Sequence, residues 1–200
     1  MEPDMTWIKK LLRIACPAIL LFVICVTLTM TTSAQTPSPT PTPTPAAPAA
    51  NPADVATMDA IVGALYTVIS GPAGPRDWNR FRSLFAPGAR LIANGIRPSG
   101  EVVSRVMTPD DYAARNGPFF EKNGFVEREI SRRTERFGMI AHLFSTYESR
   151  HTAEDAKPFA RGINSIQLLN DGKRWWIVTV FWQAEDEKNP LPAEYLRGRN

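Results

Sequence analysis

The chain has 200 residues, of which 44% are hydrophobic and 22% are charged, and its formal net charge is +3 at pH 7. This length accommodates one domain with a hydrophobic core of its own. The charge is far weaker than that of a nucleic-acid-binding protein, whose basic residues concentrate on one face, so we expect no nucleic-acid partner.

Residues 1–34 have the composition of a secretory signal peptide. Lys9, Lys10 and Arg13 precede an uncharged apolar run over 14–30, and small residues up to Ala34 provide a cleavage site. The alternative is an uncleaved anchor, because the run reaches the lower length limit for crossing a bilayer. In both cases the basic residues stay inside, and we expect export to the bacterial periplasm or the extracellular space.

A linker rich in proline and threonine follows over 35–52, and it predicts an extended, semi-rigid spacer before the domain at 53–200. Both cysteines, Cys16 and Cys25, lie in the leader. The domain sequence therefore excludes a disulfide framework, a cysteine-ligated zinc and a thiol nucleophile.

Three helices and a first strand are predicted in the amino-terminal half of the domain. Asn51 and Pro52 open an amphipathic helix that continues to Ile69. A short second helix starts near Asp77, and residues 89–93 form a strand. A third helix starts at Thr108 and is expected to be interrupted at Gly117-Pro118.

The carboxyl-terminal half of the domain predicts four long strands. They are rich in β-branched and aromatic residues and cover 125–136, 139–150, 159–169 and 175–184. Asn170-Asp171-Gly172-Lys173 predicts a hairpin turn between the last two. A twisted antiparallel sheet with helices on one face, an α+β fold, satisfies this order of elements.

Three segments resemble the nuclear transport factor 2-like superfamily in its SnoaL-like branch. They are RDWNRFRSLFAPGA at 76–89, FGMIAH at 137–142 and DGKRWWIV at 171–178, and the resemblance spans 53–185. It implies a cone-shaped, strongly curved antiparallel sheet, a cystatin-like roll, packed on about three amino-terminal helices around a pocket. Members include ketosteroid isomerase, scytalone dehydratase, polyketide cyclases, limonene epoxide hydrolase and many non-catalytic binding proteins, so the fold alone does not decide activity.

The pocket implied by this resemblance predicts a site for a small apolar molecule. Its expected lining is aromatic and consists of Trp78, Phe81, Tyr112, Phe119, Phe120 and Trp182. The resemblance places Ala93 where the isomerase has its catalytic base, and alanine transfers no proton. The leading hypothesis is therefore an exported binding domain without evident catalysis.

The second hypothesis is a SnoaL-like lyase, isomerase or cyclase that acts on a small carbonyl compound. Its base would be His142 or Glu129, with Tyr112 or Tyr147 donating a hydrogen bond to the oxyanion. The alternative for Glu129, and for Glu148, is a surface ion pair with neighbouring arginines. The alternative for His142 is a core or interface group.

The expected partners and cofactors follow from the same residues. The two histidines, His142 and His151, fall on opposite faces if one strand carries both, so we predict no metal site, and no motif indicates another cofactor. The last strand is apolar on both faces, with Trp175 and Ile177 on one side and Trp176 and Val178 on the other. This predicts a homodimer through the sheet, and a third hypothesis is a non-catalytic dimeric structural module.

Overall fold

A computed structural model describes residues 47–198, and the predicted leader and most of the predicted linker lie outside these residues. Between residues 47 and 198, no helix combines the length and apolar character needed to cross a membrane. Cleavage of the leader, anchoring and export therefore stay predictions.

The helices begin where side chains cap them. They are α1 (Pro52–Val55), α2 (Met58–Ile69), α3 (Trp78–Ser83) and α4 (Pro109–Lys122). The single first helix predicted from the sequence is two helices, because Thr57 adopts an extended backbone and its side chain accepts a hydrogen bond from the Ala60 N–H at 3.0 Å. This new N-cap starts α2 and ends the run from α1.

The predicted interruption of α4 at Gly117-Pro118 is wrong. The helix is continuous from Pro109 to Lys122, with Pro118 inside it. Packing holds it in place: Phe120 is buried in the core, and Gly117 faces the ring of Trp78 closely enough that a methyl group there would touch it. These contacts offset the hydrogen bond that proline cannot donate.

The sheet has six strands in the order β2-β1-β6-β5-β4-β3. The strands are β1 (Phe85–Ile96), β2 (Val102–Met107), β3 (Val126–Phe137), β4 (Ile140–Arg150), β5 (Ala160–Asn170) and β6 (Trp175–Ala184). The α+β class and the four long strands are confirmed. The sheet is mixed rather than fully antiparallel, since β1 pairs parallel with β6, and β2 is an edge strand that the sequence analysis did not identify.

The predicted assignment of side chains to the two faces of β6 is wrong beyond Ile177, because the strand has a β-bulge at Val178. Thr179 pairs with Gln167 and Ile177 pairs with Leu168, so Val178 has no partner on β5. One extra residue shifts the alternation of side chains by one position. The inner face therefore has Trp175 and Ile177 before the bulge and Val180 and Trp182 after it. The first three are the buried residues of the strand, and Trp182 packs against the core.

The carboxyl-terminal tail covers part of the outer face of the sheet. The backbone oxygen of Gly198 accepts hydrogen bonds from the Ser131 hydroxyl at 2.6 Å and from the Arg132 N–H at 3.0 Å. The ring of Tyr195, in a short 3-10 helix (Ala193–Leu196), lies 5.1 Å from that of Phe144. The chain itself thus covers part of the outer face, at β3 and β4, and the homodimer predicted from the faces of β6 stays a prediction.

Gly63 offers a test of the helical environment in α2. Apart from the adjacent residues and the backbone of the helix itself, no atom lies within 4 Å of a methyl group added there, and the backbone is helical. We expect Gly63→Ala to raise the free energy of unfolding by about 0.5–1 kcal/mol in urea denaturation, because alanine lowers the entropy cost of the helix. Gly74→Ala is the matched control. Its site is equally open, but its φ of 144° is unfavourable for alanine, so a stabilisation there would contradict this explanation.

Candidate functional site

A cavity of about 260 Å³ lies between the helices and the inner face of the sheet. Its walls are mainly apolar and aromatic, with Leu65, Ile69, Phe81, Leu91, Tyr112, Phe119, Phe120, Phe125, Phe159, Val180 and Trp182 among them. Phe119 and Phe159 are also 44% and 49% exposed, which places them at the mouth of the cavity. Such a lining favours a molecule with a large apolar part.

The acid in this cavity is Glu127, from β3. Its Oε2 accepts a hydrogen bond from the Ser149 hydroxyl at 2.8 Å, and Asn164 also bonds to its side chain. The Ser70 hydroxyl, at the end of α2, accepts the Glu127 N–H at 2.9 Å and donates to its carbonyl at 3.1 Å. The backbone and the carboxylate are therefore both held in position before any ligand binds.

Burial raises the pKa of the Glu127 carboxyl from its ordinary value of 4.5 to about 7, and the hydrogen bonds from Ser149 and Asn164 oppose this shift only in part. A carboxyl group with this pKa is present in both its protonated and its ionised form near neutral pH, so it can either donate or accept a proton. Burial and the nearby Glu127 also raise the pKa values of Tyr112 and Tyr147, so these phenols stay protonated and can donate hydrogen bonds.

A buried network of hydrogen bonds fixes Asn164 beside this acid. Asn164 Nδ2 donates to the Tyr66 hydroxyl at 3.0 Å, and that hydroxyl lies 2.8 Å from the Ser145 hydroxyl. Ser145 in turn donates to Glu129 at 2.6 Å, and Glu129 pairs with Arg132 at 3.3 Å. Buried polar groups with partners of this kind are rigidly placed, so the polar end of the cavity is preorganised.

Close backbone packing sets the position of Tyr147. An added methyl group on Gly162, in β5, would lie 2.6 Å from the Tyr147 hydroxyl and 2.3 Å from the carbonyl oxygen of Gln183. Glycine is therefore required at this point of the sheet, and the phenol of Tyr147 occupies the space that a side chain would fill.

The structure brings together most of the residues predicted to line a pocket. Five of the six, Phe81, Tyr112, Phe119, Phe120 and Trp182, line the cavity. Trp78 lies one layer behind them: its ring is 5.5 Å from Phe81 in an edge contact and 6.1 Å from Phe120 in a stacked one. Trp78 therefore supports the cavity wall from behind, and this geometry does not favour the predicted direct contact between Trp78 and a ligand.

The catalytic candidates are placed differently, since Tyr112 and Tyr147 line the cavity but His142 does not. Leu143 and Ala141 turn inward from β4, so the alternation of the strand places His142 on the outer face, where its Nε2 lies 2.9 Å from the Ser165 hydroxyl. His142 is therefore separated from any molecule bound in the cavity. Ala93 lies on β1 opposite Trp182 and has no functional group.

The two glutamates were expected to be surface ion pairs if they had no catalytic role, and both are buried instead. The Glu129 side chain is 4% exposed and pairs with Arg132, which is 5% exposed. The Glu148 side chain lies between Arg128 and Arg150, and hydrogen bonds from these arginines keep its pKa low although burial opposes this. Neither glutamate lines the cavity that contains Glu127.

Sequence analysis did not identify Glu127 as a site residue, because acidic and basic residues alternate over 127–136 and such a pattern is typical of a solvated strand. Two features of the sequence indicate instead that Glu127 points inward. Residues 127 and 129 share one face of a strand, and the next strand presents Ser145, Tyr147 and Ser149 on a single face. The antiparallel pairing places Glu127 opposite Ser149, so the two polar stripes meet on the inner side.

In the part of the chain that the structure describes, no group of three or more His, Cys, Asp or Glu residues is placed to hold a metal ion. The prediction that no metal or cofactor is used stays a prediction. Fold and site together define, within the described residues, an α+β domain with a largely apolar cavity whose lining includes the carboxyl group of Glu127.

Solved structures similar to this chain include NTF2-like proteins of unknown function from Silicibacter pomeroyi and Methylobacillus flagellatus. The first is 17% identical with a TM-score of 0.43, over 65% of this chain and 94% of that chain. The second is 14% identical with a TM-score of 0.43, over 65% and 95%. A third, from Shewanella frigidimarina and provisionally described as a ketosteroid isomerase, is 15% identical with a TM-score of 0.41, over 62% and 91%.

No family model and no curated protein matches the chain. The superfamily that the sequence resembles is the one named in the descriptions of these solved structures. The helices and strands described above confirm the α+β fold predicted with it. This likeness carries no argument about activity, which has to come from the cavity itself.

Proposed function

We propose that the domain binds a small, largely apolar molecule in the cavity between its helices and its sheet. The observation that carries this proposal is the combination of an aromatic wall with a few fixed polar groups at one end, Glu127, Ser149 and Asn164. Apolar surfaces supply affinity in such sites, and the polar groups orient the ligand. The leader sequence adds the expectation that binding takes place outside the cytoplasm.

Filling the cavity tests this proposal. Toluene should raise the melting temperature of the purified protein in a concentration-dependent manner, because a ligand that binds only the folded state stabilises it. Ala160→Phe places a ring at a residue that lines the cavity and should abolish the increase. Ala153→Phe, in an exposed turn, is the matched control and should keep it. A toluene response that survives in Ala160→Phe would locate binding elsewhere and overturn the proposal.

Acid–base catalysis on a small carbonyl compound is the second candidate function. The raised pKa of Glu127 favours it, since a general base works best when its pKa is close to the working pH. Tyr112 and Tyr147 line the same cavity as protonated phenols and would stabilise the developing oxyanion. Deuterium exchange at the carbon next to the carbonyl of 2-indanone should then be catalysed by the protein, and no catalysed exchange would leave binding as the function.

A further inference from the structure

The charge inside the cavity is of one sign. Among the described residues that line it, Glu127 is the acid, and none is a lysine, an arginine or a histidine. Two basic groups touch its rings from outside this lining: the guanidinium of Arg76 lies 5.1 Å from the centre of the Phe120 ring, and His151 stacks on Phe159 at 4.5 Å. The carboxylate thus faces the cavity without a basic residue in the lining to neutralise it.

The hydrogen bonds of Glu127 leave room for a further donor. Its two side-chain partners, Ser149 and Asn164, are neutral, whereas an ionised carboxylate can accept about four hydrogen bonds. The tyrosines that interact electrostatically with it are Tyr66, Tyr112 and Tyr147, whose phenols have raised pKa values and stay uncharged. A positively charged donor would therefore meet an acceptor that has no arginine, lysine or histidine partner among residues 47–198.

The walls add a second attraction for a cation. Eight aromatic side chains are among the described residues that line the space, namely Phe81, Tyr112, Phe119, Phe120, Phe125, Tyr147, Phe159 and Trp182. The negative face of an aromatic ring attracts an ammonium group within about 6 Å, and this attraction increases when water is excluded. An acid combined with several rings favours a cation over a neutral group, and it repels an anion.

We propose that the molecule bound in this cavity is a small apolar amine, whose ammonium group pairs with the Glu127 carboxylate while its hydrocarbon part lies among the aromatic rings. The inference rests on the proposed binding function and narrows it to one chemical class. The cavity volume of about 260 Å³ suits an amine with one ring, since a cavity of about 150 Å³ accepts benzene. The raised pKa of Glu127 agrees with it, because a bound ammonium group would restore the charged form of the carboxylate.

Three probes of nearly equal size distinguish the charge of the ligand. The full chain is titrated at pH 8 with 2-phenylethylamine, 2-phenylethanol and phenylacetate, and the change in intrinsic tryptophan fluorescence, to which Trp182 at the cavity wall contributes, reports binding. We expect the amine to bind at least tenfold more tightly than the alcohol, and phenylacetate to bind more weakly than both. In Glu127→Gln the preference for the amine should fall below about threefold, while the affinity for the alcohol stays the same.

Glu121→Gln, an exposed position on α4, is the matched control and should retain the full preference for the amine. The comparison of the three probes in the unmodified protein tests the proposal even if a variant fails to fold. Equal binding of the amine and the alcohol there would overturn the amine class and leave the proposed binding function in place. An amine preference that persists in Glu127→Gln would also overturn the amine class. If none of the probes binds while toluene still raises the melting temperature, the amine class fails and the binding function stands. If toluene has no effect either, both proposals fail.

Discussion

Phe81→Ala will lower the free energy of unfolding by about 3–5 kcal/mol, the largest loss that we expect from a single substitution in this domain. Phe81 is 1% exposed, and its ring lies 4.8 Å from that of Phe85 and 5.2 Å from that of Tyr112. Truncation removes both contacts and enlarges a cavity that already exists on one side of the ring. Chemical denaturation in urea, with the slope of the transition compared between variants, measures the loss.

Phe137→Ala is the control for this prediction, since it removes the same atoms from a side chain that is 84% exposed. Its free energy of unfolding should stay within about 0.5 kcal/mol of the unmodified protein. A loss below about 1 kcal/mol for Phe81→Ala would mean that the ring is not part of a packed core, contrary to the contacts described above.

Glu127→Gln will stabilise the domain at pH 8 and have little effect at pH 4. Burial raises the pKa of this carboxyl from 4.5 to about 7, so the folded protein binds a proton that the unfolded chain releases between these values. Stability therefore decreases as the pH rises from about 4.5 to 7, and a pKa difference of this size corresponds to roughly 3 kcal/mol. Glutamine is uncharged at every pH and removes this loss.

The measurement is the free energy of unfolding of both proteins from pH 4 to pH 8, and the difference between them isolates Glu127 from the other titrating groups. We expect the variant to be more stable by roughly 1–3 kcal/mol at pH 8. Tyr66, Tyr112 and Tyr147, which interact with Glu127, do not titrate in this range because their pKa values are raised. Parallel curves for the two proteins would show that the carboxyl is ordinarily solvated.

The sequence was sufficient for the parts of the fold that local patterns determine. The strands near the carboxyl end have long β-branched and aromatic runs, and Asp171 makes its hairpin turn by accepting the N–H groups of Lys173 and Arg174 at 2.8 and 2.9 Å. The capping box of Thr108 and Asp111 starts α4 where it was expected. Each of these features depends on residues only a few positions apart.

The features that the sequence did not predict depend on contacts between distant residues. The bulge at Val178 comes from the pairing of β6 with β5, and the parallel pairing of β1 with β6 joins strands from opposite ends of the domain. The inward direction of Glu127 depends on its pairing with β4. The alternation of charge in β3 is typical of a solvated strand. That one of its polar faces points inward is determined only when the strands assemble into the sheet.

The bulge in β6 also determines how the domain would tolerate the loss of one residue. Deleting Val178 would remove the residue that has no partner on β5, so the strand would alternate strictly and the residues from Thr179 to Trp182 would keep their sides of the sheet. The indole of Trp182 would stay in the ligand space and Phe181 would stay outside it. A related chain that is one residue shorter at this point would therefore keep the same chamber lining.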